Sequence, residues 1–189
     1  MTILDYRKSN PMKGGASFPL SHRIERLVWS VVWSGLGKWT PAPLFAWRRG
    51  LASLFGARLS KTAKIYPGVS IWHPRNLEMA DYACLGWRVN CYCMGQVTLE
   101  PYALVSQDAE LCSGTHDVDD EYFQLVTKPI SIGKMAWVAA GAFVGPGVMI
   151  GDGAVLGARA VTVKSLQPMT IYAGNPARPI RKRSIELEK

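Results

Sequence analysis

Three histidines and four cysteines are the side chains of this 189-residue sequence best suited to proton transfer, metal ligation or nucleophilic attack. His22 falls in a stretch of helical spacing and His73 in a Trp-His-Pro turn, settings where an imidazole is ordinarily structural. His116 differs: it closes a run of regular repeats and opens the polar segment DVDDEYFQLVTK, which breaks the regularity. Segments projecting from a rigid scaffold often carry function. An imidazole with an ordinary pKa near 6.5 is neutral at pH 7 and able to take up a proton. A covalent route would instead need a cysteine beside a base. Cys112 is four residues from His116 but follows Leu111, an inward repeat position, so it is expected to face elsewhere. Cys91-Tyr-Cys93 lacks a second Cys/His pair at zinc-site spacing, and no metal site is expected. Asp117 adjoins His116, yet sequence neighbours rarely point together. Asp119, Asp120 and Glu121 read as a solvated loop.

The elements that must hold His116 repeat every six residues. From Ile132 the sequence reads IGKMAW, VAAGAF, VGPGVM, IGDGAV, LGARAV, TVKSLQ. The first position is aliphatic, the fifth small, the second mostly Gly or Ala. The rhythm runs earlier through Ile65 and Ile71, through Met79, Leu85 and Cys91, and through Leu99, Val105 and Leu111, with two-residue slips after Ile71 and Cys91. Neither a strand, with period 2, nor a helix, with period 3.6, repeats in this way. Short strands joined by tight turns do, with three hexads, about 18 residues, per triangular coil, and stacked coils bury a core that no single repeat could. Glycine is expected where those turns need positive φ or close backbone approach. Ile132, Val138, Val144, Ile150 and Leu156 are expected to stack in one inward column.

The first 62 residues read differently. Ile24, Leu27, Val28, Val31, Val32 and Leu36 predict an amphipathic helix over about 21–36, with Ser21 as N-cap and Gly35 or Gly37 at its end. A second helix is expected over about 43–55. Trp29 and Trp33 share a helix face that either caps the neighbouring core or, with Lys and Arg nearby, rests on a membrane surface. The chain therefore divides into a helical, Trp-rich segment (1–62), a repeat domain (63–172) with a loop at 117–128, and a basic C-terminal tail (173–189).

The net charge of +8 is uneven: ten Lys/Arg against two acids before residue 63, five against ten in the middle, seven against two from residue 159. Basic ends suit anionic lipid or a phosphate-bearing cofactor; no nucleic-acid-binding motif is present, and nucleic acid is not an expected partner. The start, MTILDYRKSNPMKGG, lacks the apolar core of a signal peptide, and with four cysteines this points to a reducing cytoplasmic setting.

SQDAELCSGTHD (106–117), TKPISIG (127–133), AWVAAGAFVGPGVMIGDGAVLGARAV (136–161) and AGNPARPI (173–180) resemble the hexapeptide-repeat acyltransferases, in particular the galactoside, maltose and nodulation O-acetyltransferase group. The N-terminal segment and CYCMGQVTLEPYALVSQDAELCSGTHD most resemble the colanic-acid-type exopolysaccharide acetyltransferases. The resemblance implies a mainly β fold, a left-handed parallel β-helix, although ordinary parallel crossovers are right-handed. It implies acetyl-CoA as donor, with no metal, and a saccharide or lipid-linked saccharide as acceptor in surface-polysaccharide assembly. His116 would be the general base for direct transfer, and a backbone N–H on a neighbouring coil would receive the oxyanion. Trp137 and Ala140 would line the pantetheine channel, Ala158 and Lys164 contact the coenzyme on later coils, and Arg178 and Arg181 meet its phosphates. A homotrimer with its sites between subunits follows by the same resemblance. The location expected from the start of the chain and its cysteines is cytoplasmic, and peripheral at the inner membrane face on the membrane reading of the N-terminal segment. Three departures stand out. Val163 replaces a usual Thr before Lys164, and the acceptor-binding Asn and Asp of the galactoside enzymes fall on Gly86 and Met94. Other readings are acetylation of a small xenobiotic or of serine, and a non-catalytic scaffold. A γ-type carbonic anhydrase shares the coil but needs three zinc-binding histidines, and only His73 and His116 lie in the repeat region.

Overall fold

The computed structural model describes residues 3–185. Its repeats wind into a prism of three parallel sheets. The first face stacks Arg58–Leu59, Leu77–Met79, Val97–Leu99, Ile130–Ile132 and Met149–Ile150. The second stacks Lys64–Ile65, Cys84–Leu85, Leu104–Val105, Trp137–Val138, Val155–Leu156 and Thr170–Ala173. The third stacks Ser70–Ile71, Asn90–Tyr92, Glu110–Cys112, Phe143–Val144 and Val161–Thr162. Each coil pairs with the coils above and below it, so one continuous core runs along the axis.

The five aliphatic residues expected in one column are all buried, with 2% exposure or less, but they divide among three columns. Ile132 pairs with Ile150 on the first face, Val138 with Leu156 on the second, and Val144 with Thr162 on the third. Consecutive hexads turn a corner, so vertical neighbours are three hexads apart. Ala136, Ala142, Ala154 and Ala160, at the fifth position, are fully buried. The repeat glycines serve both expected purposes. At the second position they allow close approach: a Cβ on Gly151 would sit 2.6 Å from the backbone nitrogen of Pro168 on the next coil. At the fourth, Gly141, Gly147 and Gly153 take positive φ (64°, 79° and 64°), a conformation that Met135 and Arg159 also adopt there, at 54° and 56°.

The slips have a structural meaning. Lower coils advance by 20 residues, as in Ile71 over Cys91 and Met79 over Leu99, against 18 in Ile132 over Ile150. The extra residues lie where the chain leaves the third face for the first. In the lowest coil they hold the 3-10 turn Pro74–Asn76. One coil up they form the bend around Met94, and in the next the excursion widens to residues 113–129. These insertions are laced together. The Asn76 side-chain amide donates to the carbonyls of Cys93 and Met94, and the Ser113 hydroxyl donates to the Tyr92 carbonyl while accepting from the Gly95 N–H.

Three helices precede the prism: α1 (Tyr6–Ser9), α2 (Leu20–Leu36) and α3 (Phe45–Leu54). Helix α2 starts one residue before the expected N-cap Ser21, directly after Pro19, and no side chain caps it; Gly37 ends it, its N–H donating to the Trp33 carbonyl. Its tryptophan face turns inward. Trp29 and Trp33 are stacked, 4.9 Å apart, and donate to the carbonyls of Ile71 and Val69 at 2.7 and 2.8 Å. They cover the end of the prism, where the lowest coil would otherwise meet water. The aliphatic residues that signalled the helix do the reverse: Ile24, Leu27, Val28, Val31 and Leu36 are exposed, and only Val32 packs against the core.

Helix α3 contributes Arg48, which is fully buried. Its guanidinium donates to the carbonyls of Thr40, Pro41, Ala42 and Ile65 and to the Thr40 hydroxyl. At the other end, the segment read as a tail is in part a strand: Arg178–Lys182 runs antiparallel to Thr170–Ala173. Arg183 fixes it to the prism by donating to the carbonyls of Met135 and Gly153, each at 3.0 Å.

Candidate active site

The widest insertion builds an arm. Gly114–His116 pairs antiparallel with Leu125–Thr127, with His116 opposite Leu125. His116 sits at the outer end of this ribbon and is exposed. Its Nδ1 lies 2.6 Å from the Phe123 carbonyl oxygen. A carbonyl can only accept, so Nδ1 carries the proton and Nε2 presents a lone pair. That is the tautomer a general base requires. Phe123 sits at the turn of the arm with a positive φ of 51°.

Asp117 does not orient the ring. Its N–H donates to the Gln124 carbonyl, and its carboxylate accepts from the Asp119 N–H. Asp120 accepts from the Tyr122 N–H and faces Arg7 at 3.8 Å. The arm is clasped by the N-terminal segment: the Gln124 amide accepts from the Tyr6 N–H at 2.9 Å and donates to the Leu4 carbonyl at 3.2 Å. Tyr6, Phe18, Met94 and Leu125 form a second apolar cluster, against which Trp72, Tyr92 and Tyr122 pack. The Tyr6 ring is 6.4 Å from that of His116. Met94 is buried in this cluster, and Gly86 lies against the backbone of the next coil, where a Cβ would be 2.9 Å from the Val105 carbonyl oxygen.

The thiols are poor nucleophiles. Burial pushes Cys84 up to about 11, burial raises Cys112, and Cys91 is raised by its hydrogen bond with Cys93 and by burial. The Cys112 thiol donates to the Gly114 carbonyl, away from the imidazole. A raised pKa leaves little thiolate at neutral pH. Cys93 goes the other way: burial would raise it, but hydrogen bonds from the Cys91 thiol and from backbone N–H groups outweigh that and lower it; it is protected instead by being fully buried. The native protein at pH 7.5 should therefore resist iodoacetamide at all four cysteines and react fully only when unfolded, as read by mass spectrometry. Labelling of Cys112 at the rate of a free thiol would contradict this.

The donor-site residues fall elsewhere. Trp137, on the second face, is 41% exposed and donates its indole N–H to the Ser106 hydroxyl at 2.8 Å. A shallow cleft of about 280 Å³ beside it is lined by Tyr102, Leu104 and Arg183 among others. Ala140 and Ala158 are turn residues of successive coils, on the corner between the second and third faces, and the Ala140 carbonyl accepts from the Arg159 N–H. Lys164 and Arg178 line a second cleft of about 170 Å³ together with Val163 and Pro176. Arg178 and Arg181 are exposed; each donates to a neighbouring backbone carbonyl, and neither meets a carboxylate among the described residues. One chain thus joins Lys164 to Arg178 on the corner from the third face to the first, two coils beyond the arm, and leaves Trp137 on the second face and Ala140 and Ala158 on the corner between the second and third.

Residues 129–164 match the model of the bacterial transferase hexapeptide family, six repeats. Over 173 residues the chain is 40% identical to "Putative colanic acid biosynthesis acetyltransferase WcaF" of Escherichia coli (strain K12), covering 89% of this chain and 95% of that one. Among solved structures, a maltose O-acetyltransferase from Clostridium difficile 630 superposes with a TM-score of 0.76 at 18% identity, covering 88% of this chain and 90% of the other. A galactoside acetyltransferase in complex with coenzyme A gives 0.77 at 22% identity, over 89% and 85%.

Proposed function

The chain belongs to the hexapeptide-repeat acetyltransferases, and on that premise we propose that it transfers the acetyl group of acetyl-CoA directly to a saccharide hydroxyl, with His116 as general base, in the assembly of a surface polysaccharide. One observation carries the reading of the base: the Phe123 carbonyl holds the Nδ1 proton, which leaves Nε2 open at the tip of a braced arm. A sugar hydroxyl bound to Nε2 gives up its proton as its oxygen attacks the thioester carbon. The tetrahedral intermediate places negative charge on the former carbonyl oxygen, for which a backbone N–H is the donor. Collapse breaks the carbon–sulfur bond, and the imidazolium returns the proton to the departing thiolate. The products are an acetyl ester and coenzyme A, and no group on the enzyme is acetylated.

The division of residues between corners supports a site shared between copies. The clefts of about 170 and 280 Å³ that hold Lys164, Arg178 and Trp137 are smaller than the roughly 300–1,000 Å³ of ordinary ligand pockets. A ring of three copies, closed by rotation, would lay the donor groove of one chain against the arm of the next. Trp137, Ala140, Ala158 and Lys164 would then follow the pantetheine, with Arg178 and Arg181 at the phosphates. Charge favours this, since coenzyme A carries several phosphate charges and, among the described residues, Arg178 and Arg181 lack competing carboxylates. Arg178→Ala should raise KM for acetyl-CoA more than KM for its 3′-dephospho analogue, with kcat little changed. Equal effects on both donors would mean that Arg178 does not read the 3′-phosphate.

The acceptor side differs from a galactoside site, because Gly86 and Met94 offer no side-chain hydrogen bond where Asn and Asp would stand. The half-buried rings of Trp72 and Tyr92 beside the arm suit the apolar faces of sugar rings. The outward aliphatic face of α2, with Arg23 and Lys38 exposed nearby, supports peripheral contact with an anionic membrane, where a lipid-linked acceptor would be found. No helix among the described residues is long and apolar enough to cross one.

A further inference from the structure

We propose that His22, Glu25 and His73 form a binding site for one divalent transition-metal ion, with zinc the best match, that fastens helix α2 to the lowest coil. Helix α2 presents His22 and Glu25 at positions i and i+3, on one face, and His73 comes from the corner just before the Pro74–Asn76 turn. One ligand atom from each of the three lies within 4.8 Å of the others. The two rings are 4.7 Å apart and inclined at 62° to one another, and Glu25 Oε2 is 3.7 Å from His73 Nε2.

The histidines are 9% and 4% exposed, yet His22 Nε2 and both ring nitrogens of His73 have no hydrogen-bond partner. At 3.7 Å the Glu25 contact is too long for a hydrogen bond. Buried polar atoms are nearly always satisfied, and a cluster that is not calls for a missing water or ion. Here the unsatisfied atoms belong to two imidazoles, and a carboxylate faces them. That is a donor set for zinc or a neighbouring divalent metal, whereas calcium and magnesium prefer oxygen ligands. Burial lowers the proton affinity of both rings, so they enter as neutral ligands.

The surroundings fit. Arg75 donates to Glu25 Oε1 at 2.6 Å, which orients the carboxylate and leaves Oε2 toward His73, as a partner behind a metal ligand does. The Glu25 side chain is 33% exposed, which gives an ion a route in and leaves a fourth position for water. Arg26, stacked over Trp72 at 3.8 Å, opposes the added charge, so a site of modest affinity is expected. The acetyl transfer makes no use of this ion; its role is to pin the tryptophan-bearing helix to the corner below the arm. The proposal stands independently of the donor, acceptor and base.

The test uses the full chain, stripped with EDTA and dialysed, then titrated with Zn²⁺ by calorimetry and with Co²⁺ by visible absorption. One ion per chain is expected, together with a higher thermal midpoint. Glu25→Gln should weaken binding by about tenfold or more, and His22→Gln should abolish it. His73→Gln should do the same, but the other two variants decide the matter if it fails to fold. Absence of one-to-one binding, or binding unchanged in Glu25→Gln and His22→Gln, overturns the proposal. An intense near-ultraviolet cobalt–thiolate band would also overturn it, by placing the ion on the cysteines.

Discussion

His116→Ala is expected to lower acetyl transfer by about 10²–10⁴-fold, the usual contribution of a positioned general base, while leaving the prism folded. The stability half of this expectation follows from exposure. His116 stands at the end of the arm, and its side-chain hydrogen bond to the Phe123 carbonyl is also at the surface, where water can replace it. The catalytic half follows from the tautomer. His116→Asn keeps a donor able to reach the Phe123 carbonyl but has nothing to take up a proton at neutral pH. It should therefore be as inactive as the alanine variant. Recovery of activity in His116→Asn would mean that the residue only positions the acceptor. Release of thiol from acetyl-CoA, followed with and without a saccharide, reads both variants, and circular dichroism reports the fold.

Arg48→Ala should destabilise the protein by about 3–5 kcal/mol, a large share of the roughly 5–15 kcal/mol that holds a typical domain together. Arg48 is a buried cation with no carboxylate partner among the described residues, solvated by backbone carbonyls in place of water. Burial lowers its pKa, yet an arginine stays protonated throughout the accessible pH range. Its donors satisfy the carbonyls of Thr40, Pro41 and Ala42, where two prolines break the chain between α2 and α3, and that of Ile65 in the lowest coil. Alanine would strip the guanidinium donors from the carbonyls of Thr40, Ala42 and Ile65, with only Pro41 keeping a second donor, the Leu44 N–H, and would open a cavity. Lysine would not replace it, because a single ammonium cannot reproduce a planar fork with five donors. Denaturant unfolding of the wild type, Arg48→Ala and Arg48→Lys measures this. A loss below about 1 kcal/mol in both variants would show that water takes the guanidinium's place.

The prism was legible because its rule is local. Each hexad carries its own inward residue and its own small corner residue, so the period survives without knowledge of distant contacts. The two-residue slips were equally visible, and they mark the corner at which the arm emerges. What the period could not show was the vertical partner of each residue, and so the five aliphatic positions separate into three columns. Helix α2 misled for another reason. Its aliphatic stripe dominates any reading of periodicity, but Trp29 and Trp33 each bring both area and an N–H that finds a carbonyl on the coil. The tail held no signal of a strand, since Arg178–Lys182 is exposed at every position and shows no alternation.

Within the site, His116 stood out by type and by its place at the break in the repeats. The group that fixes its tautomer is a main-chain carbonyl, for which the identity of Phe123 carries no code. The clasp by Leu4 and Tyr6 on Gln124 joins residues more than a hundred positions apart, and Arg48 finds its partners among carbonyls too. The His22–Glu25–His73 cluster escaped for a related reason: two of its members are helical neighbours, but the third arrives from a turn some fifty residues later.

A structure of the protein with coenzyme A bound is the decisive measurement. The coenzyme should lie between two copies, its phosphates at Arg178 and Arg181 of one and its sulfur within a few ångströms of His116 Nε2 of the next, close enough for a bound hydroxyl to reach both. A coenzyme seated where His116 of no copy can approach its sulfur would rule out His116 as the base.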